Sequence, residues 1–390
     1  MKIAIISEWF SEQMGYAENY LPPAFGRLGN EVHLITSDLQ VYGTEKELYE
    51  KVYQEHLGGA IVPTGIFAKD SYTLHRSKHS LNGGLHIVNL EQKISEINPD
   101  LVYCFEINSR DTETVAKIKE KYNFKLVSES RIHMSVFQPP KTLNQKIWQF
   151  KLWAKGRLLS RKVDLFYPIA PDVRYLIIKY FGVPKKKCKL TSLGVETNLF
   201  NPKLTIVERN EYRSKMGFKD DDVVCLYAGK FTDSKGPLIL AKAVNYLYSK
   251  GHTKIKALFV GQGSEDYLAE MQKNNNCFFH SFVNSHELVN FYCAFDIGVW
   301  PLQESTSQLD AAACGMPIII SNKVEDVFRI DNNGLSYKQG DIVDLAQKIL
   351  MLSEPDLRKK MGRMGIEKIQ KYYSWEALAI NKIADFNKLR

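Results

Sequence analysis

One stretch, Trp300-Pro-Leu-Gln-Glu-Ser-Thr-Ser-Gln-Leu-Asp-Ala-Ala-Ala-Cys-Gly-Met-Pro317, constrains the fold more than any other part of the chain. An apolar strand over Phe295–Val299 leaves through a small polar loop and enters a short helix opening near Ser307. The first N–H groups of a helix lack backbone partners and carry a partial positive charge, so such an opening is a natural seat for phosphate. Ser305, Thr306 and Ser307 add hydroxyls and little bulk, and Asp310, one turn inside, places a carboxylate where it can accept from a ribose diol. Gly315 stops the helix ahead of Pro317, and Ile318-Ile-Ile320 reads as the next strand. Strand, polar loop, helix with one carboxylate, glycine stop and strand together describe a nucleotide-diphosphate site built into an α/β sheet.

The same pattern restarts along the chain. Ile3–Ser7 reads as a buried strand and not as a signal peptide, because its apolar run is short and Glu8 follows at once. A loop with Gly15, a helix around Glu18–Leu28 and a strand Glu31–Thr36 come next; later follow strand Leu101–Phe105, helix Asp111–Lys121 and strand Lys125–Ser128. In the second half, Val223–Gly229 and Lys256–Gly261 are strands flanking a helix over Pro237–Lys250, and helix Ser285–Cys293 leads to the strand before the opening motif. Strands joined by helical crossovers imply parallel sheets. No repeat of 20–50 residues is evident beyond this echo between halves.

The segment 300–317 resembles the donor-site motif of the retaining glycosyltransferases of the GT-B fold, family 4 type (glycosyl transferases group 1). That motif commonly reads Pro-Ser-x-x-Glu-Gly-Phe-Gly-x-x-x-x-Glu-Ala-x-Ala-Cys-Gly-x-Pro. The tail Asp310-Ala-Ala-Ala-Cys-Gly-Met-Pro317 matches it with Asp for Glu. The head differs, with Glu304 six residues before Asp310 and Ser-Thr-Ser in place of Gly-Phe-Gly. Ser192-Leu-Gly-Val-Glu-Thr-Asn-Leu-Phe-Asn-Pro202, Asn333-Gly334, Gly340-Asp341 and Tyr373-Ser-Trp375 resemble further family segments. The resemblance implies an α/β chain with two facing Rossmann-like domains. Residues 1–190 would form the acceptor domain, joined by a C-terminal helix of about 376–390, and residues 191–375 the nucleotide-sugar donor domain.

Other motifs fit the same expectation. Gly229-Lys-Phe-Thr-Asp-Ser-Lys-Gly236 sets Lys230 and Lys235 after a strand, where the family carries a basic pair against the diphosphate; in isolation the stretch reads equally as a solvated turn. Gly261-Gln-Gly263 lacks the third glycine of a dinucleotide fingerprint, Asp266 standing there, so a hydride-transfer enzyme loses its main support. Gly261 then lies in a loop beside the nucleotide or in a structural turn. Phe282 and Val283 would read the nucleobase through backbone groups, the alternative being a helix cap at Asn284 or Ser285. Gly15, in Gly-Tyr-Ala-Glu18, would approach the donor phosphate or the acceptor. For the family's first-domain catalytic histidine the candidates are His133, two or three residues beyond the family position, and Glu129; Glu304 would contact sugar hydroxyls or support its loop.

Charge is unevenly spread. Residues 141–190 hold 13 Lys or Arg against Asp164 and Asp172, so this segment carries +11 while the whole chain is +8. Ile147, Trp148, Phe150, Leu152 and Trp153 interleave with Lys146, Lys151, Lys155 and Arg157, as in a basic helix lying on an anionic membrane. The three-and-four spacing of Ile147, Phe150, Ala154 and Leu158 equally describes a helix packing that face into its own domain. No apolar run is long enough to span a bilayer, and the six scattered cysteines read as reduced thiols.

The reading that follows is a cytoplasmic enzyme, possible as a peripheral protein on the inner face of the membrane. It would be a retaining, metal-independent glycosyltransferase with no cofactor beyond its nucleotide-diphosphate sugar co-substrate and no metal site. The acceptor would be a glycan, lipid-linked or of the cell envelope. A non-catalytic nucleotide-sugar-binding subunit and a nucleotide-sugar epimerase are the alternatives, and a nucleic-acid partner is not expected because no recognition module accompanies the basic patch.

Overall fold

The computed structural model describes residues 1–134, 137, 139–302, 304–324 and 326–389. The chain divides into two units, Met1–Gly194 with Trp375–Arg390, and Val195–Ser374.

Unit 1 is built on a seven-stranded sheet. Across it run Gly65–Ala68, Thr73–Ser77, Glu31–Ser37, Lys2–Ser7, Leu101–Phe105, Lys125–Ser130 and Leu165–Pro168, all parallel except the antiparallel edge strand Gly65–Ala68. Interior strands buried on both faces read as continuous apolar runs. In Lys2–Ser7, Ala4 and Ile6 join one core and Ile3 and Ile5 the core on the opposite face. The helix Trp375–Phe386 packs on helix Ala17–Arg27, where Phe386 meets Phe25 and Tyr103 and Glu376 pairs with Arg27.

The basic helix runs from Leu143 to Lys162, opened by Thr142 and Gln145 in a reciprocal cap. Its buried residues are Gln149, Gly156 and Ser160. A Cβ on Gly156 would lie 2.1 Å from the carbonyl oxygen of Phe181, so helix Pro171–Phe181 approaches this small-residue face closely. The aliphatic stripe therefore faces outward: Ile147 is 49 %, Phe150 66 % and Leu158 60 % exposed. This overturns the expectation that Ile147, Phe150 and Leu158 pack into their own domain. Spacing defines a stripe, but Gly156 decides which face goes down.

Unit 2 carries six parallel strands in the order Cys277–His280, Ile255–Val260, Val223–Ala228, Ile297–Trp300, Ile318–Ser321 and Gly334–Tyr337. Counted along the chain within the unit, the order is 3-2-1-4-5-6, the Rossmann arrangement. Its switch point falls between Val223–Ala228 and Ile297–Trp300, which pair directly. Among the described residues no helix is long and apolar enough to cross a membrane.

Candidate functional site

Open α/β sheets bind ligands outside the carboxyl ends of their strands, at the switch point. Three loops of unit 2 meet along that edge, and the contacts between them are specific. Gly261 has φ +148°, and a Cβ there would stand 2.0 Å from the Gly229 carbonyl oxygen. The glycine is thus required by the loop beside it, the structural reading that the sequence left open. A Cβ on Gly236 would meet Leu302 at 2.6 Å, which seats the lysine loop against the loop after Trp300. Trp300 Nε1 donates to the Ala228 carbonyl at 3.1 Å and ties the two strand ends together.

Helix Thr306–Ala313 opens beside these loops. Ser305 is its extended N-cap, and its hydroxyl accepts from the Ser307 N–H at 3.3 Å. Thr306 is exposed and Ser307 half-buried. Lys230 is exposed and Lys235 half-buried; among the described residues neither has an ion-pair partner. Burial, and then the charge of Lys230, holds the Lys235 ammonium below the usual lysine range. Two uncompensated cations beside an open helix N-terminus make a strongly anion-attracting corner.

Asp310 lies one turn further in. Burial pushes its carboxyl up to about 8, against the pull of the Arg329 charge. Tyr292, 1 % exposed, faces Asp310 and Ser307 from helix Ser285–Ala294. Phe282 is 68 % exposed and Val283 is buried; both follow the sheet's first strand, beyond the glycine loop of Gly261. Asn284 caps the next helix through its side chain, accepting from Glu287 N–H at 3.0 Å.

Arg329 is a residue of this corner with no signal in the sequence. It comes from the short turn Val327–Arg329, and its Nη1 donates to the Ser305 carbonyl at 2.9 Å and to Gln308 Oε1 at 3.2 Å. Its Nη2 stands 3.5 Å from Glu304 Oε2. These three partners lie 21 to 25 residues away, so no local spacing announces the contacts that tie it to the helix opening.

The remaining candidates belong to unit 1. Gly15 has φ +68° and precedes the helix Ala17–Arg27, whose Asn19 Nδ2 donates to the Ser11 and Glu12 carbonyls and pins the loop. Arg131, after strand Lys125–Ser130, donates to both oxygens of Glu18 at 2.9 and 2.5 Å. This ion pair joins the Gly15 loop to the segment that carries His133. His133 Nδ1 lies 3.1 Å from Asp172 Oδ2, at the start of helix Pro171–Phe181, and Nε2 is left to other partners. Asp172 is a partner that the sequence did not announce. Glu129 is different: its carboxylate is buried, accepting from Tyr103 OH at 2.5 Å and Lys382 Nζ at 3.1 Å. That engagement turns it away from solvent and toward the C-terminal helix.

Residues 208–368 match the family model described as glycosyl transferases group 1. The matched residues lie within unit 2. The chain is 22 % identical over 222 residues to an uncharacterized glycosyltransferase of Methanocaldococcus jannaschii, covering 54 % of this chain and 56 % of that one. It is 22 % identical over 217 residues to a D-inositol 3-phosphate glycosyltransferase of Xylanimonas cellulosilytica, covering 52 % of each. The chain thus spans about half the length of the curated relatives it matches. Among solved structures it is similar to sucrose-phosphate synthase from Thermosynechococcus elongatus, with TM-score 0.68 and 17 % identity over 100 % of this chain and 99 % of the other. It is equally similar to HepE of Anabaena in complex with UDP, with TM-score 0.68 and 16 % identity over the whole of both chains. At such identity the likeness shows the fold, which is GT-B with two Rossmann-like units.

Proposed function

We propose that this protein is a retaining, metal-independent glycosyltransferase of family 4 type, moving a sugar from a nucleotide-diphosphate sugar to an acceptor hydroxyl. The observation that carries the reading is the unneutralised pair Lys230 and Lys235 beside the open N-terminus of helix Thr306–Ala313, at the switch point of unit 2. Negative charge grows on the departing diphosphate as the glycosidic bond breaks, and preorganised cations and N–H donors favour that moment. In this reading Lys230, Lys235 and the Ser305–Ser307 segment hold the diphosphate. Asp310 takes the ribose, the Phe282–Val283 backbone the base, and Glu304 the sugar hydroxyls. The acceptor oxygen bonds the anomeric carbon on the face the diphosphate leaves, and its proton passes to the departing oxygen. Within unit 1, the Gly15 loop and His133, held by Asp172, would serve the acceptor.

The acceptor is proposed to be a lipid-linked or cell-envelope glycan, met at the cytoplasmic face of the membrane. What supports this is helix Leu143–Lys162, which has no Asp or Glu and shows its aliphatic stripe outward between Lys146 and Arg157 on one side and Lys151 and Lys155 on the other. Apolar side chains flanked by cations suit an anionic headgroup layer.

Thermal-shift measurement with UDP, GDP, ADP and their sugars, with and without EDTA, tests the donor reading. The expected result is stabilisation by one base, unchanged by EDTA and lost in Lys235→Ala. UDP is the first candidate because a UDP complex is known for the similar HepE. Absence of any shift at millimolar nucleotide would sink the reading.

A further inference from the structure

Arg329 presents a physical puzzle. Its side chain is only 9 % exposed, yet its guanidinium sits at the N-terminal end of helix Thr306–Ala313, the positive end of the helix dipole. A buried cation at that end is unfavourable unless carboxylates surround it. Two do so: Glu304 Oε2 at 3.5 Å from Nη2, and Asp326 Oδ2 at 3.7 Å from Nε. Its shorter contacts go to the carbonyl of the N-cap residue Ser305 and to the wholly buried amide of Gln308. Arg329 therefore grips the first turn of the helix at two points and the carboxylate immediately ahead of it at a third.

Glu304 is the group that makes this grip consequential. It stands one residue before the N-cap, and a carboxylate there is attracted by the same N–H groups and dipole that attract a phosphate. Left unrestrained, it would compete with a bound anion for the helix opening and repel the charge next to it.

We infer that Arg329 is a positioning residue of the donor loop, fixing Ser305 and Gln308 so that the helix opening is presented to the diphosphate, and drawing the Glu304 carboxylate aside from it. This rests on the reading of unit 2 as a nucleotide-diphosphate site. Arg329 touches no ligand in this arrangement; it acts through the loop, and its fork geometry matters because a carbonyl, an amide and a carboxylate are held at once.

The test measures UDP, GDP and ADP binding by calorimetry in the wild type, Arg329→Met, Arg329→Lys, Glu304→Gln and the double variant Arg329→Met/Glu304→Gln. Far-ultraviolet circular dichroism on each variant checks folding. Arg329→Met is expected to weaken nucleotide binding tenfold or more, with Arg329→Lys in between because it keeps the charge but not the fork. The double variant is expected to recover the part of the loss that comes from the freed Glu304 carboxylate, an outcome that a merely structural arginine would not give. Wild-type affinity in folded Arg329→Met, or no recovery in the double variant, overturns the inference while leaving the donor site standing. Should Arg329→Met fail to fold, Arg329→Lys with and without Glu304→Gln makes the same comparison. A wild type that binds none of the three nucleotides removes the underlying donor reading, and the inference falls with it.

Discussion

The Nζ of Lys382 lies 3.1 Å from Oε2 of Glu129, and each side chain is only 3 % exposed. The ammonium also donates to Tyr103 OH at 3.0 Å and sits 3.9 Å from the centre of the Tyr167 ring. Removing one partner leaves the other charge buried and unpaired. Lys382→Met is therefore expected to destabilise unit 1 by about 3 kcal/mol or more. Denaturant unfolding followed by two probes, one in each unit, checks this; an unchanged midpoint for unit 1 would contradict it.

Asp310 gives stability a pH dependence of definite sign. Burial raises its folded carboxyl to about 8, whereas an unfolded aspartate titrates at roughly 3.9. Between these values the folded chain holds a proton that the unfolded chain has lost. Stability from this group is accordingly full below the lower value, falls as pH rises, and levels off above the higher. Asp310→Asn should remove that slope, so the variant gains on the wild type between pH 5 and pH 9 by more than about 1 kcal/mol. Parallel unfolding curves of the two proteins over that range measure it, and a constant difference would refute the assignment.

Gly261→Ala tests how far the proposed nucleotide corner depends on contact between loops. The new Cβ would clash with the Gly229 carbonyl, one residue before Lys230. It should lower the stability of unit 2 and weaken UDP binding at least tenfold. Gly217→Ala is the matched control: φ is +81° there but the space is open. Its cost should be only the left-handed conformation, about 1 kcal/mol, with UDP affinity unchanged.

For the basic helix, Ile147→Glu with Phe150→Glu places two acids on the exposed stripe. Sedimentation with vesicles is expected to show at least tenfold weaker binding to phosphatidylglycerol membranes. Because both positions are exposed, unfolding should move by less than about 0.5 kcal/mol. Equal binding of the wild type to phosphatidylcholine and phosphatidylglycerol would remove the electrostatic part of the argument.

Unit 2 was readable because its strands are short apolar runs ended by glycines and prolines, and because the loop-and-helix segment around Ser305 and Asp310 carries its chemistry in consecutive residues. Residues 40–98 were not. Strand Thr73–Ser77 buries His75 and Arg76, whose polar groups are met by His33 and by the carbonyls of Phe10 and Ser37, all distant in sequence. A strand satisfied that way shows no alternation to read. The same distance hides Asp172, 39 residues from His133, and Lys382, 253 from Glu129. Glu129 sits on the strand face that meets the C-terminal helix, a fact that strand Lys125–Ser130 alone could not convey. The helix of Leu143–Lys162 shows the complementary limit, since its apolar stripe was plain but its orientation depended on one glycine.

The chain leaves unit 1 at Gly194 and returns to it at Trp375, and the two ends of unit 2 are joined by the Val195 N–H donating to the Tyr373 carbonyl at 2.8 Å. On the ribosome this gives the molecule an unusual order of completion. Unit 2 can close its own ends as soon as its last strand and helices have emerged. Unit 1, although begun first, must wait with Glu129 lacking its lysine partner until Lys382 is synthesised. The earliest-made unit is thus the last one finished, because its sheet strands precede unit 2 in the chain and its closing helix follows it.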